Sequence, residues 1–364
     1  MTASVPAITA VEARAYLVPT RTPEADGTLE WDSTTIVVVH VQAGPVTGLG
    51  WTYADVSCVP LITGTLGPVI QGKPLDVPAR WSDMQRRIRN LGRPGIVSCA
   101  LSAVDTALWD AAARLLDLPL CRLLGKARDE VALYGSGGFT NLTIPELENQ
   151  LDGWVHKSGI PRVKIKIGRD LALDVQRVQA ARAVVGDDVE LYVDANGAYS
   201  PGEARRVARE LEDYQVLWFE EPVTSDDLAG LAELRRTTTV DVAAGEYGYD
   251  LVYFARMVGA RAVDCLQIDV TRCGGYTEWA RAAAVAAAAG LDVSAHCAPN
   301  LSAHAGASTP NFRHIEWFAD HDRIETLLFD GALDPTGGRV RPGDTAGHGL
   351  TLKDADAAEY LIEA

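Results

Sequence analysis

The chain has 364 residues, of which 47% are hydrophobic and 23% are charged, a composition typical of folded globular proteins and unlike disordered or fibrous ones. Its 33 Lys and Arg face 49 Asp and Glu, and the net charge of −16 disfavours a general surface for nucleic acid or polyphosphate. The length exceeds that of a typical single domain, so we expect one large barrel with an added domain, or two medium domains.

The cysteines and the first residues bear on compartment. Six cysteines are scattered without a CxxC pair, which argues against a zinc ribbon or a dense disulfide framework. The first residues lack a basic segment followed by a long apolar one, and no stretch has the composition that we expect of a membrane span. We therefore expect a cytoplasmic protein whose thiols are reduced.

Residues 1–128 predict an α+β unit of their own. Segments 11–19 and 33–43 have strand character, and 97–117 has the pattern of an amphipathic helix. The tail, 326–364, is rich in Gly and Pro and too short to fold alone. We expect this tail to pack back on the first domain.

From residue 131 to 318 a short apolar run that ends in polar residues alternates with a longer stretch of helical periodicity. Parallel strands separated by helices form a buried sheet, and eight such units make a closed barrel. The predicted fold class is α/β, a TIM-like (β/α)8 barrel over 129–325 with an α+β capping domain that the tail completes. The candidate strands are 131–136, 162–168, 189–196, 216–222, 240–246, 262–270, 291–297 and 312–318.

Working residues of such a barrel lie at the carboxyl ends of its strands. Asp194, Glu220 and Glu246 end three consecutive predicted strands at equal intervals of chain, so they should lie side by side. Mg²⁺ prefers such oxygen ligands. Each could instead be an ordinary strand-end carboxylate near a helix N-terminus. Glu221 competes with Glu220, but strand alternation and the equal spacing favour Glu220.

Two lysines, Lys164 and Lys166, share one face of the second predicted strand. Near a bound cation, two ammonium groups so close together would lower each other's pKa, and one could act as a neutral base. The alternative is a pair of solvated lysines on an exposed strand edge.

Acid and base candidates also end the later strands. Asp269 and His296 follow adjacent strands, where a hydrogen bond between them could make the histidine a second acid or base. Glu316, on the last strand, could as a protonated carboxyl bind a substrate carboxylate that becomes an enediolate. A helix cap or a salt bridge is the competing interpretation of Glu316.

Contacts to a substrate are the least specific predictions. Asn196 lies on the same face as Asp194 and could donate to a hydroxyl, and Ser136 on the first strand is another candidate. Trp31 and Tyr53 could form aromatic walls, as could Trp51, although ordinary packing explains them equally well. The polar segment 21–33 could meet a polyol or could be a solvated loop.

Together, the motifs KIK, VDAN, FEEP, AGE, LQIDVTRCGG, AHCAPN and HIEWF resemble the mandelate racemase subgroup of the enolase superfamily over almost the whole chain. The resemblance implies Mg²⁺ on the three carboxylates and a homo-oligomer. It also implies bases Lys166 and His296 on opposite faces of the substrate, with support for His296 from Asp269. Lys164 and Glu316 would assist the substrate carboxylate.

The resemblance leads to a Mg²⁺-dependent lyase as the first hypothesis, one that dehydrates a sugar acid to a 2-keto-3-deoxy acid. A racemase, an epimerase or a lactone cycloisomerase would use the same residues. A catalytically silent barrel that binds a metal or ligand is the alternative of another class, since fold alone does not imply function. The expected partner is a small carboxylic acid, with no nucleic acid or membrane.

Overall fold

The computed structural model describes residues 5–363, and its first part is a capping domain built on an antiparallel sheet. Strands β1 (Ile8–Ala25) and β2 (Glu30–Ala43) form a long hairpin, and β3 (Val46–Tyr53) pairs with β2. The polar segment 21–33 is thus largely strand. Its turn is closed by Asp26, whose carboxylate accepts the N–H groups of Thr28 and Leu29 at 2.6 and 2.7 Å.

Helices cover one face of this sheet. They are α1 (Cys58–Leu61) and α2 (Gly67–Ile70), joined by a π-helical turn, then α3 (Val77–Arg87), α4 (Ile96–Leu115) and α5 (Leu120–Leu123). By length and composition α4 could cross a membrane, contrary to the expectation from sequence. However, 78% of its most apolar stretch is buried inside the protein. This helix is therefore the core helix of the capping domain.

The second part is a closed (β/α)8 barrel, which confirms the predicted fold class. Eight parallel strands pair in chain order, and the last pairs with the first to close the sheet. The strands are β4 (Val131–Gly137), β5 (Arg162–Lys166), β6 (Glu190–Asp194), β7 (Val216–Glu220), β8 (Asp241–Ala244), β9 (Cys265–Ile268), β10 (Asp292–Ala295) and β11 (Phe312–Phe318).

Eight helices alternate with these strands and follow them in the chain. They are α6 (Ile144–Asp152), α7 (Leu171–Val185), α8 (Pro201–Asp213), α9 (Leu228–Thr237), α10 (Leu251–Gly259), α11 (Gly275–Ala288), α12 (Pro299–Ala307) and α13 (Ala319–Leu328). Several begin where the sequence signals a cap. Ser200 and Glu203 form a reciprocal capping box before α8, and the Asp170 carboxylate accepts two N–H groups of α7.

The tail contacts both parts of the molecule. Its elements are β12 (Phe329–Asp330), β13 (Arg339–Val340), β14 (Thr351–Leu352), α14 (Asp354–Ala357) and β15 (Leu361–Ile362). Strand β13 pairs with β4 of the barrel, whereas β15 pairs with β1 and becomes the fourth strand of the capping sheet. The chain end therefore links the two sheets.

The β-hairpin of the capping domain rests directly on the barrel. Gly27 lies at its turn, and a Cβ at this position would come within 2.7 Å of the carbonyl oxygens of Ile167 and Ala195. Ile167 directly follows the last residue of β5, and Ala195 directly follows the last residue of β6. Only glycine permits so close an approach, so the turn is held over the mouth of the barrel.

Strand β3 packs on α4 just as closely, through Gly48. A Cβ there would lie 2.1 Å from the carbonyl oxygen of Ala107 and 2.6 Å from the amide nitrogen of Ala111. We expect Gly48→Ala to force the strand and helix apart and to destabilise the fold by about 2 kcal/mol or more, as overpacking does. Thermal unfolding should show a melting temperature several degrees lower.

Gly64→Ala is the matched control, because Gly64 has open space where its Cβ would be. Its melting temperature should stay within about a degree of the parent value, as for surface substitutions in general. Equal melting temperatures for the Gly48 variant and the parent would contradict the close packing of β3 on α4.

Candidate active site

Three buried carboxylates form a ring at the carboxyl ends of adjacent strands. Asp194 and Glu220 are the last residues of β6 and β7 and are paired in register, and Glu246 lies two residues beyond β8. One carboxylate oxygen from each lies within 4.8 Å of the others. The equal spacing in sequence thus corresponds to neighbouring positions in space.

The ring has the donor chemistry that Mg²⁺ requires. All three side chains are buried and offer hard oxygen atoms to one point. The Oε2 atom of Glu246 is buried and accepts no hydrogen bond within residues 5–363. A buried carboxylate oxygen is costly without a partner, and a cation would satisfy it. The residues present therefore fit a Mg²⁺ ion.

The rival residue, Glu221, is also buried but is not part of this group of ligand atoms. It follows the end of β7 with a left-handed backbone, φ 37°, and so leaves the row that Glu220 occupies. Its Oε1 atom has no hydrogen-bond partner in the described residues. Burial together with the charges of Glu246 and Asp194 raises the pKa of Glu221 well above its usual value.

Both lysines point into the same group of carboxylates. Lys164 Nζ lies 2.5 Å from Glu220 Oε1, 2.7 Å from Glu316 Oε1 and 3.3 Å from Asp194 Oδ2. Lys166 Nζ lies 2.5 Å from Asp194 Oδ2. Neither side chain is a solvated lysine on a strand edge, because both are buried.

The electrostatics of these lysines differ from the sequence expectation. Burial lowers the pKa of each, but the carboxylates outweigh burial: Glu220 and Glu316 for Lys164, and Asp194 for Lys166. The pKa of both lysines is therefore raised, not lowered. Lys164 does lower the pKa of Lys166, as predicted, but the nearer carboxylates outweigh this effect. The lowered pKa predicted for lysines beside a bound cation stays a prediction.

Across the mouth, His296 and Asp269 form a hydrogen-bonded pair. His296 Nδ1 lies 2.7 Å from Asp269 Oδ2, and the other oxygen of Asp269 accepts both the N–H and the hydroxyl of Thr271. His296 Nε2 lies 3.2 Å from Glu246 Oε2 and 3.6 Å from Glu316 Oε2. Asp269 thus orients the imidazole and leaves Nε2 directed at the carboxylates.

Charge favours the protonated form of this histidine. Burial alone lowers the pKa of His296, but Glu246, Glu316 and the hydrogen bond to Asp269 outweigh it and raise the pKa above its usual value. For Glu316, burial raises the pKa, while Lys164, His296 and Lys166 together bring it well below the usual range. These cations favour the ionised form of Glu316 over the protonated carboxyl that the sequence predicted.

A cavity of about 440 Å³ lies between the barrel mouth and the capping domain. From the barrel it is lined by Lys166, Asn196, Glu246, His296 and Glu316, and from the capping domain by Trp31 and Tyr53. Asn196 has a left-handed backbone, φ 46°, and its buried Oδ1 has no hydrogen-bond partner among the described residues. Side chains far apart in sequence therefore meet around one space.

Two of the candidates for substrate contact lie elsewhere. Ser136 is buried outside the lining of this cavity, and its hydroxyl donates to Glu316 Oε1 at 2.6 Å. Trp51 is fully buried, stacks on Phe329 with ring centroids 4.6 Å apart, and donates to Glu325. For Trp51 the structure supports packing and not a pocket wall.

Several residues at or beside the site were missed from the sequence, among them Arg272, His321 and Glu325. Arg272 and His321 line the cavity, and Glu325 accepts hydrogen bonds from Tyr53, Trp51 and Asn300 and so ties the capping domain to the barrel. Arg272 and His321 each lie three to four residues beyond a strand end, a position that could have drawn attention to them. Glu325 lies inside helix α13 and carries no such signal.

The fold and site agree with comparisons to known proteins. Residues 9–125 match the family model of the mandelate racemase/muconate lactonizing enzyme N-terminal domain, and residues 146–357 match the enolase C-terminal domain-like model. Among solved structures, a mandelate racemase/muconate lactonizing enzyme-like protein from Rubrobacter xylanophilus is 47% identical with a TM-score of 0.96, over 98% of this chain and all of that one.

A racemase from Streptomyces coelicolor, solved with bound magnesium, is 30% identical with a TM-score of 0.93, over 98% of this chain and 100% of that chain. The 3,6-anhydro-alpha-L-galactonate cycloisomerase of Streptomyces coelicolor is 32% identical over 92% of this chain and 93% of its own length. The arabinonate dehydratase of Saccharolobus solfataricus is 32% identical over 78% of both chains.

Both family models match, and together they cover the capping domain and the barrel. The similar structures extend over nearly the whole chain at up to 47% identity. The chain therefore belongs to the mandelate racemase/muconate lactonizing enzyme family of the enolase superfamily.

Proposed function

We propose that the protein is a Mg²⁺-dependent hydro-lyase that removes the proton beside the carboxylate of a sugar acid and expels the neighbouring hydroxyl. The observation that carries the proposal is the placement of Lys166 and the His296–Asp269 pair around one cavity that also contacts the carboxylate ring. A protein that only binds a ligand needs no such pair of proton-transfer groups.

Asp194, Glu220 and Glu246 would hold the metal. When bound, Mg²⁺ supplies positive charge that stabilises the negative charge developing on a substrate carboxylate. Lys164, buried between Glu220 and Glu316, adds a fixed positive charge beside the same ring. Ser136 holds Glu316 in place and does not contact the substrate, since its hydroxyl donates to that carboxylate and does not line the cavity.

The proton transfers follow from the remaining groups. Lys166 must first lose its own proton, because Asp194 beside it favours the ammonium form. When Asp194 holds a Mg²⁺ ion, its negative charge is offset, which favours the free amine. The free amine takes the proton from the carbon next to the carboxylate and leaves an enediolate. The carbon–oxygen bond at the next carbon then breaks, and the protonated His296 gives its proton to the departing hydroxyl, which leaves as water. The raised pKa of His296 suits this acid role. The enol product tautomerises to a 2-keto-3-deoxy acid.

Similarity supports this reaction class. Besides the arabinonate dehydratase, the L-talarate/galactarate dehydratase of Salmonella typhimurium is 31% identical over 77% of this chain and 70% of its own length. Lactone cycloisomerisation is the second candidate, because the cycloisomerase from Streptomyces coelicolor matches over 92% of this chain. The same acid and base groups would serve that reaction.

The first prediction concerns the reaction itself. A library of sugar acids incubated with the Mg²⁺-supplemented protein should yield a 2-keto-3-deoxy acid from at least one member, detected by a colorimetric assay and by NMR. Prior treatment with EDTA should abolish the product, and added Mg²⁺ should restore it, because the carboxylate ring requires its cation. Ring-opened or ring-closed isomers without loss of water would instead favour the cycloisomerase.

The second prediction separates the two proton-transfer groups. Lys166→Met should lower dehydration about 10²- to 10⁴-fold, the range for a lost general base, and should also stop deuterium exchange at the carbon beside the carboxylate. His296→Asn should lose dehydration by a similar factor but keep this exchange, since it acts after proton removal. Lys157→Met, on an exposed lysine, is the control that should behave like the parent. Exchange that survives in the Lys166 variant would contradict the assignment.

The third prediction tests the metal ligands without activity. Asp194→Asn should weaken Mg²⁺ binding by tenfold or more in calorimetry, because it removes one charged oxygen ligand from the ring (a tenfold change is about 1.4 kcal/mol). Asp187→Asn changes an exposed carboxylate to the same amide and should leave the affinity unchanged. Equal affinities for the two variants would place the ion elsewhere.

A further inference from the structure

The wall that the capping domain adds to the cavity is polar but lacks positive charge. In residues 5–363 no Lys or Arg of this domain lines the cavity. Besides Trp31 and Tyr53, the polar side chains that do so are Asp26, Ser33, Thr34, Thr35 and Asp55. Two are carboxylates and three are hydroxyls, so this wall suits hydroxyl groups and repels an anion.

The cations of the cavity come from the barrel and are already engaged. Lys166 and His296 are the proposed proton-transfer groups. Arg272 lies with Nε 3.4 Å from Asp269 Oδ2 and Nη1 3.3 Å from Glu246 Oε1, and its guanidinium stacks 5.4 Å from the centre of the Tyr247 ring. Two buried carboxylates balance its charge at the reactive end of the cavity.

The remaining cavity histidine, His321, presents a neutral donor. Its Nδ1 accepts the backbone N–H of Ala298 at 3.3 Å, so the ring proton must lie on Nε2. Burial, reinforced by the charge of His296, lowers the pKa of His321 to about 3. Its Nε2 has no hydrogen-bond partner within the described part of the chain, although the ring lines the cavity.

Packing holds this ring in place. The ring of His321 lies flat on that of Tyr53, with centroids 3.4 Å apart and planes 9° from parallel, and Phe318 meets it edge-on at 5.1 Å. The side chain is only 7% exposed. A ring fixed on two sides, with one free N–H, is a preorganised donor for a neutral oxygen atom.

We propose that the substrate is a monocarboxylic sugar acid with an uncharged, hydroxyl-bearing far end, and that His321 Nε2–H donates to one of its hydroxyl groups. This inference rests on the proposed function, since it takes the substrate carboxylate to lie at the ring of Asp194, Glu220 and Glu246. A second carboxylate at the far end would lie beside the carboxylates of Asp26 and Asp55 without a free cation, and like charges repel. The far wall therefore selects against dicarboxylic acids.

The test compares acids that differ only in the oxidation of the terminal carbon. The pairs are D-galactonate with galactarate, D-gluconate with D-glucarate and D-arabinonate with D-arabinarate. Calorimetry on Mg²⁺-loaded Lys166→Met protein measures binding without turnover, and the parent protein is assayed for product in parallel. We expect at least one monocarboxylic acid to bind about tenfold or more tightly than its partner, because a second carboxylate meets like charge and no free cation at this wall.

Variants of His321 test the donor. His321→Phe keeps an aromatic ring against Tyr53 but loses the N–H, and should weaken binding of the preferred acid about tenfold. His321→Gln keeps an N–H donor and should recover part of that loss. Both variants should bind Mg²⁺ as the parent does, which a general loss of structure would not allow.

The outcomes distinguish this inference from the proposed function. Tighter binding of the monocarboxylic acids without any dehydration would leave the inference standing and overturn the hydro-lyase. Dehydration of a dicarboxylic acid that binds as well as its partner would support the hydro-lyase and overturn the inference, as would a Phe variant that binds like the parent. No binding of any of these acids would overturn both.

Discussion

The parallel register of three barrel strands is the constraint on which the site depends. Lys166 pairs with Asp194 across β5 and β6, and Asp194 pairs with Glu220 across β6 and β7. Residues paired in this way lie in one row and point to one side of the sheet. A shift of one residue in either pairing would turn a charged side chain away from the mouth.

Burial makes the charged cluster around this row energetically demanding. Lys164, Asp194, Glu220 and Glu316 are almost completely removed from solvent, and a buried charge without a partner is strongly destabilising. Each is compensated by contact with the others, as the distances from Lys164 Nζ show. The charges of the cluster therefore depend on one another, and a cation or an anion that enters it would change the balance among all of them.

The capping domain contributes the part of the cavity that the barrel cannot supply. Its hairpin turn approaches the barrel at Gly27, and its strand β3 brings Tyr53 against His321. The tail strengthens the arrangement, because β15 joins the capping sheet while β13 pairs with the barrel. The barrel thus carries the reactive groups, and the junction of the two domains shapes the space beside them.

The sequence alone determined the eight-stranded barrel and the carboxylate positions, because hydrophobic periodicity and strand alternation are local properties. It also favoured Glu220 over Glu221 as the middle carboxylate of the ring. Tertiary structure decided what depends on distant neighbours. The raised pKa of Lys166 follows from Asp194 beside it, and Ser136 donates to Glu316 instead of lining the cavity. The neutral donor at His321 likewise exists only because Ala298 and Tyr53, remote in sequence, meet its ring.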